Sequence, residues 1–90
     1  IHNAPFDLGH LAAALRLYEL APVTFDYACS LRISRRLYPR LVNHKLDTVA
    51  QLFGHTFHHH DALDDAIACA TIVAHTGIPA GFRKHFQEPA

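Results

Sequence analysis

Along the first part of the chain the apolar residues Leu8, Leu11, Leu15 and Tyr18 recur at spacings of three and four, with Ala12, Ala13 and Ala14 between them. That is the period of one helix face, and consecutive alanines add intrinsic helix preference. The pattern predicts an amphipathic helix over Asp7 to Leu20, stopped by Pro22. Val23-Thr24-Phe25 then reads as a short strand, since β-branched and aromatic residues follow a breaker. From Leu31 to Tyr38, Leu31, Ile33, Leu37 and Tyr38 alternate with Arg32, Arg35 and Arg36, as expected of a helix with one solvated face that ends before Pro39.

A further helix is expected from Leu46 to Phe53, where Leu46, Val49, Ala50 and Phe53 fall on one face and Gly54 follows the last turn. After a histidine-rich segment, His55-Thr-Phe-His-His-His60, a last apolar period starts at Ala62 and runs through Ala66, Ile67, Ala70 and Val73 to Gly77 and Pro79. The tail from Gly81 to Ala90 is polar and has no strong period, so no element is expected there. The order helix, strand, helix, helix, helix suggests the second half of an α/β domain. One short strand cannot make a sheet alone, and the remaining strands are expected outside these residues.

Composition narrows the picture. Ninety residues allow one domain or part of one, and half of them are apolar against 18% charged, which predicts a packed core rather than disorder. The chain opens on Ile1 and contains no Met, so it reads as a piece of a longer protein. Eight basic residues balance eight acidic ones, which removes any global electrostatic case for nucleic-acid binding and leaves only local contacts. Cys29 and Cys69 lie far apart, form no C-x-x-C pair and follow no secretory segment, so a reduced, cytoplasmic setting is the default expectation. No apolar run approaches the length of a membrane span.

Two acidic motifs carry candidate chemistry. In Asn3-Ala-Pro-Phe-Asp7 the aspartate falls at or just before the start of a helix, where capping alone would account for it, although a cap does not exclude metal ligation. In His60-Asp61-Ala-Leu-Asp64-Asp65-Ala66 a histidine precedes three carboxylates at a second helix start, more acids than capping requires. Hard divalent ions prefer oxygen ligands, and two-metal cleavage of a phosphodiester needs several converging carboxylates plus a group to accept a proton from water. Asp7 and Asp65 are candidate ligands and His60 a candidate base, since an unperturbed imidazole titrates near neutrality.

These residues resemble the DEDDh class of 3′→5′ exonucleases, which includes the proofreading epsilon subunit of bacterial replicative DNA polymerase. The family's second motif is similar to Asn3-Ala-Pro-Phe-Asp7, and its third, His-x-Ala-Leu-x-Asp-Ala, is matched by His60, Ala62, Leu63, Asp65 and Ala66. Arg35-Arg36-Leu37-Tyr38-Pro39 and His44-Lys45-Leu46 resemble the segments the family places between them. The related DEDDy enzymes carry tyrosine four residues before the last aspartate, where this chain has Asp61.

The resemblance implies a ribonuclease H-like exonuclease fold, of which residues 1–90 would be the C-terminal, helix-rich part without the early sheet strands. It also implies two Mg²⁺ or Mn²⁺ ions held in part by Asp7 and Asp65, with His60 as general base and nucleoside 5′-monophosphates released from single-stranded 3′ ends of DNA or RNA. The family's first motif, Asp-x-Glu, would supply the other carboxylates and does not occur in these residues. The fragment alone is therefore expected to be inactive. Asn3 and Phe6 are candidate substrate contacts through hydrogen bonding and stacking, with Phe6 as a core staple the competing role. A DNA polymerase or another attached domain is the implied partner.

Three other readings compete. His55, His58, His59 and His60 invite a zinc site, but their spacing fits no closed tetrahedral pattern. Arg32, Arg35, Arg36, Arg40 and Lys45 suggest either a phosphate-guiding strip or a solvated helix face. A non-catalytic module that binds nucleic acid or a protein partner, derived from the same fold, is the alternative to an enzyme.

Overall fold

In a computed structural model, which describes residues 1–58 and 61–88, four helices and two strands follow one another as α1 (Ala4–Leu17), β1 (Val23–Tyr27), α2 (Ser30–Leu37), α3 (Leu46–Gln51), α4 (Ala62–Thr76) and β2 (Lys84–Glu88). Helix α1 starts three residues earlier than the periodicity predicts. Asn3 takes the left-handed conformation, with φ 64° and ψ 56°, and turns the chain directly into the first turn. Pro5 then stands within that turn, where its missing N–H costs nothing and its fixed φ suits the helix. At the other end Glu19 is also left-handed (φ 51°), and the Leu20 N–H reaches back to the Leu15 carbonyl at 3.0 Å. The helix is thereby closed before Pro22.

The tail departs from its expectation. Lys84 to Glu88 form a strand that pairs antiparallel with β1, in the register Val23↔Glu88, Phe25↔Phe86 and Tyr27↔Lys84. The sheet therefore has two strands from within the chain, where one solitary strand was expected. Its inner face is carried by Phe25 and Phe86, stacked with centroids 4.9 Å apart. Cross-strand aromatic pairing of this kind compensates for the otherwise polar β2 sequence. On the outer face, the His85 imidazole contacts Asp26 Oδ1 at 2.9 Å through Nδ1 and Thr24 Oγ1 at 2.9 Å through Nε2, which stitches the two strands together. Arg16 reaches Glu88 at 2.6 Å and ties α1 to β2.

Apolar burial falls into two clusters. Ala4, Leu8, Leu15, Cys29 and Phe86 form one between α1 and the sheet. Val49, Ala50, Ala68 and Ile72 form the other between α3 and α4, with Leu46, Phe53 and Phe57 packed against it. The seam on α4 differs from the predicted face: Ala68 and Ile72 are fully buried, whereas Ala66 and Ala70 are exposed and Ile67 is 47% exposed. A helix apolar on nearly every side gives periodicity little to discriminate. Helix α2 buries Ile33 together with two serines, Ser30 and Ser34. Among the described residues no helix is long and apolar enough to cross a membrane.

Candidate functional site

Asp7 lies in the first turn of α1 and Asp65 in the first turn of α4. Asp7 does not cap its helix, because Asn3 occupies that place. The two carboxylates, far apart in the sequence, line one open cleft of about 530 Å³ together with His2, Leu46, Ala66, Cys69 and Ile1. Each stands in the first turn of its helix, at the positive end of the macrodipole. Both side chains are exposed to solvent, so their carboxylates are accessible to ions. A second groove of about 550 Å³, lined by Leu37 to Leu41 with Leu52 and Phe53, contains no carboxylate or imidazole. The candidate chemistry belongs to the first cleft.

Beneath that cleft runs a chain of polar contacts that sequence reasoning missed. His2 Nε2 lies 2.6 Å from the His44 carbonyl, which can only accept, so Nε2 carries the proton. In neutral His2, Nδ1 is then an acceptor, and the Ser30 hydroxyl shares its one hydrogen between Nδ1 at 3.0 Å and the Ile1 carbonyl at 3.1 Å. Cys69 Sγ, 3.6 Å from Ser30 Oγ, is left to donate its thiol hydrogen to that oxygen. His44 in turn contacts the Tyr38 carbonyl through Nε2 at 2.8 Å. The run links α4, α2 and the segment before α1. Burial, the dominant cause, holds the His2 imidazole below its ordinary pKa. The positive charges of Arg35 and His44 act in the same direction, and the bond to the His44 carbonyl opposes them. The available signal was position: His2 directly precedes Asn3 of the first acidic motif.

The three acids at the start of α4 have three different surroundings. Asp61 is the N-cap, accepting from the Asp64 N–H at 2.8 Å, as expected of a capping aspartate. Asp64 is largely buried, and its Oδ2 accepts from the His58 N–H at 3.1 Å while its Oδ1 lies 3.0 Å from His55 Nε2. The short His55 contact lacks hydrogen-bond alignment, so it acts through charge and dipole rather than as a directed bond. Asp65 faces the cleft. His60, the candidate base, and His59 lie outside the described residues.

Asn3 and Phe6 do not line the cleft. Phe6 is 62% exposed and meets His10 edge-on at 4.5 Å, so it is not a core staple and its ring is accessible for stacking. Arg32, Arg35, Arg36, Arg40 and Lys45 are all exposed, and Arg35 is close enough to His2 to affect its protonation. Among the described residues no three histidine, cysteine or acidic side chains stand together as a metal site, and His55 is engaged with Asp64 instead.

A family model described as Exonuclease, of the RNase T type, matches residues 1–73, a span that holds both acidic motifs. The chain belongs to this exonuclease family. Its similarity to PolC-type DNA polymerases III identifies it as a DEDDh-type exonuclease segment. It is 40% identical over 68 residues to the PolC-type DNA polymerase III of Lacticaseibacillus paracasei, covering 74% of this chain and 5% of that protein. To the PolC-type DNA polymerase III of Caldanaerobacter subterraneus it is 40% identical over 72 residues, covering 79% of this chain and 5% of the relative. The corresponding protein of Bacillus subtilis is 35% identical over 74 residues, covering 80% of this chain and 5% of the relative. The exonuclease segment thus spans about 5% of the length of the polymerases it matches. No solved structure matches it.

Proposed function

We propose that this chain forms the C-terminal part of a ribonuclease H-like 3′→5′ exonuclease domain, which removes nucleotides from single-stranded 3′ ends of DNA, or of RNA, in a cytoplasmic protein that also holds a polymerase. The observation that supports this reading most directly is the convergence of Asp7 and Asp65 on one open cleft. Their all-oxygen, anionic donors suit Mg²⁺ or Mn²⁺. Two carboxylates are too few for a pair of such ions, so a further Asp-x-Glu segment of the intact protein is required to complete the set.

Bound ions would polarise the scissile phosphoryl group and acidify the attacking water. Asp7 and Asp65, in the first turns of α1 and α4, would hold such ions from two sides of the cleft. His60 accepts the proton of the attacking water, and Phe6, with its exposed ring, stacks on the terminal base while Asn3 hydrogen-bonds beside it.

The test uses the intact protein and 5′-labelled single-stranded DNA and RNA in the presence of Mg²⁺. Shortening from the 3′ end with release of nucleoside 5′-monophosphates is expected, with loss of activity in Asp65→Asn and on chelation. His60→Ala is expected to lower the rate by at least about a hundredfold, the range of general-base contributions. Nucleotide release that survives both Asp65→Asn and chelation would refute the two-metal reading. Binding of 3′ ends without any release would favour the non-catalytic alternative.

A further inference from the structure

We propose that Asp64 is a positioning residue, which ties the histidine-bearing segment between α3 and α4 to the helix that presents Asp65. Its catalytic consequence rests on the reading of His60 as the base; the tether itself does not.

Three acids at one helix start exceed the needs of capping, and the structure gives each a separate role. Asp61 satisfies the Asp64 N–H, and Asp65 faces the cleft. Asp64 follows neither course. Successive residues on a helix point about 100° apart, so with Asp65 turned to the cleft its neighbour is turned toward the incoming chain. There its carboxylate, about one-seventh exposed, takes the backbone N–H of His58 at 3.1 Å and lies 3.0 Å from His55 Nε2.

Among its described residues, His55 to His58, the segment it holds forms no helix or strand. Its first residue is tied back to α3 by the His55 N–H on the Ala50 carbonyl at 3.2 Å, and Phe57 packs on the α3–α4 cluster. His58 is attached by Asp64, and His60 lies two residues further along. One carboxylate therefore joins the stretch that carries the base to the turn that carries a ligand. A charged acceptor on a backbone N–H is the stronger kind of hydrogen bond. Loss of this contact leaves both groups present but not held in relation to each other. The expected effect is on the chemical step, not on substrate binding.

In the full-length protein, Asp64→Ala should lower kcat by about 10- to 100-fold, as a small misplacement of a reacting group does. The KM for a single-stranded 3′ end and the Mg²⁺ concentration for half-activation should be unchanged. Asp64→Asn keeps an acceptor for the His58 N–H and should recover most of the loss. Hydrogen exchange provides an arm that depends on neither catalysis nor variant folding: in wild-type protein the His58 amide should be protected to the level of the first turn of α4. A His58 amide exchanging at the free-chain rate would overturn the tether. So would an Asp64→Ala enzyme with unchanged kcat, or one whose kcat loss comes with an equal loss of Mg²⁺ affinity, which would make Asp64 a ligand. Full activity in His60→Ala would refute the assignment of the base and leave the tether to be decided by exchange.

Discussion

Replacing Ser30 by alanine should destabilise the region under the cleft by about 2 kcal/mol, a figure that follows from what the hydroxyl holds. Ser30 is fully buried, and its Oγ lies 3.0 Å from His2 Nδ1, 3.1 Å from the Ile1 carbonyl and 3.6 Å from Cys69 Sγ. Its single hydrogen is shared between two acceptors, His2 Nδ1, whose ring already donates through Nε2 to the His44 carbonyl, and the Ile1 carbonyl, which also takes the Ser30 N–H at 2.8 Å. The alanine variant leaves the half-buried Nδ1 without a donor, which costs roughly 1–3 kcal/mol, and removes the weaker thiol contact. Replacing one oxygen by hydrogen opens too small a space to add a large cavity term. At 1.4 kcal/mol per tenfold change, about 2 kcal/mol accelerates sub-global hydrogen exchange roughly 30-fold. Exchange is measured by mass spectrometry on peptides from α2 and α4 in the intact protein. Thr71→Ala is the control, since the Thr71 hydroxyl donates to the Ile67 carbonyl within α4, away from the Ser30 contacts. Exchange in α2 and α4 that is no faster in Ser30→Ala than in Thr71→Ala would refute the role assigned to the Ser30 hydroxyl.

Asp61→Ala should cost about 1 kcal/mol through loss of the cap on the Asp64 N–H, with Asp61→Asn close to neutral; thermal unfolding of the two variants side by side checks the difference. The buried His2 imidazole gives a pH dependence of defined sign. Above its unfolded value of about 6.5 both states hold the ring neutral and the full stability is present. Below it the unfolded chain binds a proton that the folded chain resists, so stability falls as pH is lowered toward the depressed folded pKa. Wild type should therefore lose more stability than His2→Asn between about pH 7 and pH 5, and parallel profiles would contradict the role assigned to burial.

The helices were legible because their apolar residues repeat at three and four and their ends carry Pro22, Gly54 and Gly77. Gly54 and Gly77 do take positive φ, as the chain ends at α3 and α4 require. Strand β2 was not legible, because Lys84-His-Phe-Gln-Glu88 offers a single apolar residue, Phe86, and its pairing depends on a distant aromatic partner, Phe25. The buried seam of α4 was lost among alanines, which mark a helix without marking its inner face. Of the candidate site, Asp7 and Asp65 stood out as acids at helix starts and do meet in one cleft. His2 and Ser30 were hidden, because a histidine and a serine far apart in sequence give no sign that folding will join them.

The left-handed backbone at Asn3 bears on how related sequences should be interpreted. Asparagine and glycine are among the few residues that occupy this region at low cost. If a survey of relatives found asparagine invariant here, evolutionary pressure on the fold alone would account for much of that constancy. A substrate contact could be inferred only from the frequency with which glycine is excluded. Glycine tolerates the same backbone and brings no amide, so a single substitution, Asn3→Gly, separates the demands of chain geometry from those of recognition.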